Sequence, residues 1–113
     1  ADDRVYPHGD ELAPDDANHD VTYGRRPLAF GPDEVGAHPA SDSPFGVADL
    51  AGNAWEWVRP IGGAGEVLYR GGGWYNGAPA AVATNRQAGE PAMRNIENGL
   101  RVCAPPPPEG PER

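Results

Sequence analysis

The chain has 113 residues, of which 16 are Gly, 14 are Pro and only 17 are Leu, Ile, Val or Phe, a composition of loops rather than of long packed elements. It excludes a helical bundle, a coiled coil and a parallel α/β sheet, and no run approaches the ~18 apolar residues of a membrane span. The formal net charge is −8 and the basic residues, all Arg, form no stripe, so nucleic acid and anionic membrane surfaces are not expected partners.

Residues 1–20 are acidic, with a local balance of −6, and they surround one aromatic turn, Tyr6-Pro7-His8-Gly9-Asp10. Residues 21–44 carry Pro27, Pro32, Pro39 and Pro44 and read as extended loop with short strands at best. Residues 45–58 are the most apolar stretch, and Trp55 and Trp57 alternate around Glu56 as in a short strand. Pro60 and Gly62-Gly63-Ala64-Gly65 predict a turn, Glu66 to Arg70 a second strand, and residues 98–103 a last one. Residues 77–84 are Ala-rich but interrupted by Gly and Pro, so no confident amphipathic helix is predicted. Residues 104–113 form a polyproline-like tail or linker that cannot join a sheet. Trp55, Trp57 and Trp74 are the expected core. The core is small, and a chain this poor in aliphatic residues is at risk of not folding alone.

Little of the usual chemistry is present. Cys103 is the only cysteine, so there is no internal disulfide, and it is expected to pack as a small hydrophobe. His8 reads as an exposed residue beside a turn. His19 and His38 have no partners at zinc-ligand spacing. Gly71-Gly72-Gly73 lacks the Lys of a phosphate-binding loop and reads as close backbone approach after a strand. Ser41 and Ser43 have no evident base, and no carboxylate pair has glycosidase spacing. Asp49 and Glu56 are two hard oxygen donors separated by a Gly52-Asn53 turn, which could aim backbone carbonyls at the same point and suit calcium. The alternative is a Glu56 that faces solvent on a strand whose Trp side chains point inward.

Three stretches carry a family resemblance in the right order. They are Tyr6-Pro7-His8-Gly9-Asp10 with Ala17-Asn18; Ser43 to Val58, containing G-N-A-W-E-W; and Val67 to Trp74, containing R-G-G-G-W, closed by Asn85-Arg86 and Asn98-Gly99-Leu100-Arg101-Val102. Together they resemble the C-terminal half of a formylglycine-generating enzyme (sulfatase-modifying factor) domain, over residues ~4–103. The resemblance implies an α+β, C-type-lectin-like fold, mostly irregular with short antiparallel strands and incomplete. Residues 1–103 are then a partial domain, and a fused or separate N-terminal half-domain would supply the rest.

The resemblance also implies a calcium ion held by the Asp49 and Glu56 side chains and the Gly52 and Ala54 carbonyls, with a second, weaker candidate site beginning at Asn18. The family's two copper-binding cysteines fall at Asn76 and Ala81, neither of which is a thiol, so copper is not expected and the chain is read as noncatalytic. Residues 74–95 correspond to the substrate-facing surface, where Tyr75, Asn76, Asn85 and Arg86 could recognise a protein, peptide or small-molecule ligand. Arg70, Arg86 and Arg101 are expected to pair with carboxylates and carbonyls. In bacteria such domains resemble accessory proteins or parts fused to kinases. The alternative is a diverged oxidoreductase of the same superfamily, formylglycine-generating or iron-dependent sulfur-oxidising, with catalytic residues partly outside this chain.

Overall fold

The computed structural model describes residues 2–59, 67–108 and 110. The turn predicted at Pro60 to Gly65, and Glu66 at the head of the predicted second strand, lie outside the described residues. Four short strands are present: β1 (Trp55–Val58), β2 (Val67–Arg70), β3 (Gln87–Gly89) and β4 (Asn98–Gly99). Two 3₁₀ turns, Pro39–Ser41 and Ala78–Ala81, each carry a Pro at their start, where its fixed φ and missing N–H cost nothing. Among the described residues there is no longer helix, and none is long and apolar enough to cross a membrane.

The strands form one mixed sheet in the order β3-β2-β1-β4. W-E-W-V and V-L-Y-R are rich in aromatic and branched residues and pair antiparallel, Glu56 opposite Arg70 and Trp57 opposite Tyr69. Two departures from the sequence reading follow. The last strand is parallel to β1, not antiparallel, and covers only Asn98–Gly99 rather than residues 98–103. Continued pairing would set Arg101 level with Val58; instead its guanidinium reaches back to Glu56. The second departure is β3, a Q-A-G segment without apolar alternation. It pairs with β2 because Gly89 lets the Tyr69 ring lie against the backbone; a Cβ there would overlap that ring.

The core is built of small residues and rings. Ala17, Ala51 and Ala81 are buried together, with Tyr6 and Leu12 packed against them. Trp55, Tyr69 and Trp74 are also buried. Phe30 meets Trp74 edge-on at 4.6 Å, and Trp57 meets Tyr69 edge-on at 5.0 Å, a geometry that ring quadrupoles favour. Three expectations are corrected. Trp57 is half-buried rather than core, because β1 ends beside an open cleft. Cys103 is exposed, because the chain has left the sheet by that point. His8 is not exposed: its side chain retains 11% of its accessible surface and its Nε2 lies 3.5 Å from Asp16 Oδ2.

The two central motifs are clipped together by backbone. Gly52 N–H donates to the Gly71 carbonyl (2.7 Å), and Trp74 N–H donates to the Asn53 carbonyl (3.1 Å). In a chain dominated by irregular backbone, these bonds do the work that long ladders do elsewhere, since buried amides and carbonyls need partners.

Candidate functional site

The Asp49–Glu56 segment turns through three left-handed residues, Asp49 (φ 56°), Gly52 (φ 72°) and Asn53 (φ 67°). Gly52 is required twice over. Its φ disfavours a side chain, and a Cβ would overlap the Asn18 carbonyl oxygen. Asn53 is the hub. Its N–H donates to the Asn18 carbonyl (2.8 Å), its Oδ1 accepts from Asp33 N–H (2.7 Å) and Asn18 Nδ2 (3.1 Å), and its Nδ2 donates to the Asp33 carbonyl (3.2 Å). Sequence reasoning saw only a turn there; an Asn directly after Gly, able to adopt a left-handed φ, was the available signal.

Asp49, Ala54 and Glu56 line one cavity of about 270 Å³, together with Asn53 and Arg101. Gly52 is not on its wall. Asp49 is buried at 8% exposure, and its Oδ2 accepts from Gly36 N–H (2.7 Å). Glu56 is partly exposed, with 22% of its side-chain surface accessible, but it is not free. Arg101 grips it with two parallel bonds, Nε to Oε2 (2.9 Å) and Nη2 to Oε1 (2.7 Å), and Nη2 also donates to the Ala48 carbonyl (2.9 Å). The Glu56 hydrogen bond holds the Arg101 pKa above its ordinary value, against the opposing effect of burial.

The residue types fit a hard cation in kind, since Asp49 and Glu56 line one cavity and carry carboxylate oxygens, of which Asp49 Oδ2 and both Glu56 oxygens already accept hydrogen bonds. Among the described residues, no three His, Cys, Asp or Glu side chains gather closely enough to hold a metal by themselves. A calcium ion here would draw on backbone oxygens and share Glu56 with Arg101. Asn18 sits apart from the cavity, buried at 2%, with its Nδ2 committed to the Gly31 carbonyl (2.8 Å) and to Asn53.

Asn76 and Ala81, the positions at which the sequence reading expected the family's thiols, are both built into the fold. Asn76 Oδ1 accepts from the Trp55 indole N–H (2.7 Å) and from Gly73 N–H (3.1 Å), and the Asn76 carbonyl accepts from Asp20 N–H (3.0 Å). Ala81 is 2% exposed in the alanine core.

The four residues read as ligand-facing do not converge. Tyr75 is about half exposed, flanked by Phe30 and Trp74, with the Arg25 guanidinium 5.3 Å from its ring centre. Asn85 Nδ2 donates inward to the Ala80 carbonyl (3.0 Å), and Arg86 is exposed. Asn76 borders a cavity of about 150 Å³ between Trp55 and Tyr69. Arg70 and Arg101 do pair as expected, Arg70 with the Ala83 carbonyl (3.0 Å).

A second polar cluster ties the N-terminal loops together. His38 Nε2 lies 2.6 Å from Asp33 Oδ2, and Nδ1 lies 3.1 Å from the Asp15 carbonyl. Both ring nitrogens face acceptors, so the doubly protonated ring fits this setting. Burial alone would lower the His38 pKa, but the Asp33 and Asp15 oxygens outweigh it and the pKa is raised. The Tyr23 hydroxyl also donates to Asp33, which pushes its pKa up to about 12.

Residues 1–105 match the family of the sulfatase-modifying factor enzyme 1-like domain. No curated protein sequence matches the chain. Among solved structures, the chain is similar to Treponema denticola variable protein 1, with a TM-score of 0.57 and 20% identity over 76% of this chain. The match spans only 34% of that protein's chain. At that identity the likeness shows the fold, which is α+β and of the formylglycine-generating-enzyme, C-type-lectin-like kind.

Proposed function

Since the chain belongs to the sulfatase-modifying factor enzyme 1-like family, we propose that it is a noncatalytic member, a calcium-stabilised binding or accessory module. One observation carries this reading. The positions that the resemblance assigns to the family's thiol pair are Asn76, whose amide oxygen is spent on the Trp55 indole and Gly73, and Ala81, which is packed in the core. Copper(I) needs soft thiolate ligands, and neither residue offers one. The remaining thiol, Cys103, is exposed on the segment that follows β4.

Calcium would be held by Asp49 and Glu56 with the backbone oxygen of Ala54, which shares their cavity; the Gly52 carbonyl, off that wall, accepts from Ala54 N–H (2.9 Å). The ion would supply charge neutralisation and a cross-link between loops that have little apolar surface to hold them. A fused or separate N-terminal half-domain belongs to the same proposal. The match spans a third of the structural neighbour, and Leu28 (104%) and Phe45 (89%) stand fully open to solvent.

The test is direct. The purified chain, supplied with copper, is incubated with a cysteine peptide from a sulfatase and followed by mass spectrometry. The peptide thiol should remain unchanged. Its conversion to an aldehyde overturns the noncatalytic reading.

A further inference from the structure

A cleft of about 470 Å³ lies beside β4, between β1 and the segment 91–95. That volume is in the ~300–1,000 Å³ range of small-molecule sites. Trp57, Met93 and Leu100 give it an apolar wall, and Arg94, Asn95 and Asn98 give it a polar one. Trp57 is half-buried and braced edge-on by Tyr69 at 5.0 Å, so its position is fixed by packing while part of the indole stays open. Met93 and Leu100 are exposed at 45% and 73%.

Two features say what such a cleft would take. The first is charge. The chain carries a net −8, yet no Asp or Glu is among the residues lining this cleft, and Arg94 is the cation on its wall. Glu90 and Glu97 flank the lining segments in sequence, and Arg94 is the charged side chain that the cleft wall itself presents to an anion. The second is an unpartnered donor. The Asn98 amide Nδ2 is buried and has no hydrogen-bond partner among the described residues. Asn98 lines both this cleft and the smaller cavity beside Trp55 and Tyr69. A buried amide without an acceptor is costly, so an oxygen ligand placed there gains what the fold leaves unmade.

We propose that this cleft binds a small carboxylic acid with an apolar body. The carboxylate takes the Arg94 guanidinium and the Asn98 amide, and the apolar body lies against Trp57, Met93 and Leu100. An amine would meet Arg94 with no carboxylate in return. A neutral apolar compound would leave Asn98 unpaired. The proposal rests on reading the chain as a binding module, and it places the ligand on residues 91–100 rather than on Tyr75 and Arg86.

The experiment is a ¹⁵N NMR titration of the full chain with phenylbutyrate, phenylbutanol and phenylbutylamine, which share one apolar body and differ in the polar end. Phenylbutyrate should give saturable shifts of the Trp57 indole and Asn98 side-chain signals, with affinity about tenfold or more above that of the other two. Arg94→Gln should weaken phenylbutyrate by roughly five- to tenfold without moving the melting temperature, because Arg94 is exposed. Asn98→Asp, of the same shape, should abolish acid binding. Equal binding of the three compounds, or no saturable shift for phenylbutyrate up to about 10 mM, overturns the proposal. Saturable shifts confined to Tyr75 and Arg86 overturn the cleft while leaving a binding module in place. Aldehyde formation in the peptide assay overturns the module whatever the cleft binds.

Discussion

Replacing Asn76 with Ala removes one acceptor from two donors at once. The Trp55 indole N–H (2.7 Å) and the Gly73 amide (3.1 Å) both end on Asn76 Oδ1. Trp55 is 7% exposed and Gly73 is buried, so neither donor is left facing open solvent. A buried donor left without a partner costs about 1–3 kcal/mol. For the pair, a loss of about 2–4 kcal/mol is expected, a large share of the ~5–15 kcal/mol that holds a typical domain. In a chain of this size that corresponds to a fall in melting temperature on the order of 10 °C. Urea and thermal unfolding followed by Trp fluorescence read the loss, and the Trp55 indole proton in NMR reads the broken bond itself. Asn76→Asp keeps an oxygen at the same place and should retain more than half of the lost stability. Asn76→Cys, the residue type that the resemblance implies at this position, should behave like Ala, because sulfur is a weak acceptor. A loss below about 0.5 kcal/mol for Asn76→Ala would refute the assignment of this side chain to the fold.

The remaining predictions concern the sheet, the polar cluster and the calcium site. Gly89→Ala should destabilise by about 1–3 kcal/mol in urea unfolding, since the added methyl overlaps the buried Tyr69 ring; wild-type stability would contradict the β2–β3 contact. His38 has a raised folded-state pKa, so its contribution is fully present below its ordinary 6.5 and is lost as pH rises through the higher folded value. The stability difference between wild type and His38→Gln should therefore shrink above neutrality, and a difference that grows with pH would contradict the Asp33 and Asp15 contacts. Calcium should raise the melting temperature of the wild type and should fail to do so in Asp49→Ala and Glu56→Ala. Arg101→Gln should lower stability by only about 1 kcal/mol without calcium, because the Glu56 pair is partly solvated, and should strengthen the response to calcium by freeing Glu56. Unchanged calcium sensitivity in that variant would mean that the two cations do not share the carboxylate.

What could be read in the sequence was local or carried by motif. W-E-W-V and V-L-Y-R have strand propensity in their own right, and β1 and β2 lie where that propensity put them. The G-N-A-W-E-W and R-G-G-G-W motifs announced a family, and in the fold they are clipped together by Gly52 and Gly71. What could not be read was set by contacts distant in sequence. β3 exists because Tyr69 finds room over Gly89, which no pattern in Q-A-G reveals. The last strand pairs parallel to β1 for only two residues, and beyond it Arg101 returns to Glu56, 45 residues earlier, a contact that the local pattern does not reveal. Asn53 and Asn76 look like turn and surface residues, since an amide does not declare which buried donors it will meet. The reading of Asn76 and Asn85 as ligand-facing failed to anticipate this: both side chains bond inward.

Copper(I) binding tests the central claim most directly. The anaerobic, fully reduced chain is titrated against a chromophoric copper(I) chelator, beside a Cys103→Ser variant that removes its only thiol. Positions 76 and 81 should hold no copper, so any copper taken from the chelator by the wild type should be absent from Cys103→Ser. A tight one-to-one copper complex that survives in Cys103→Ser would contradict the noncatalytic reading.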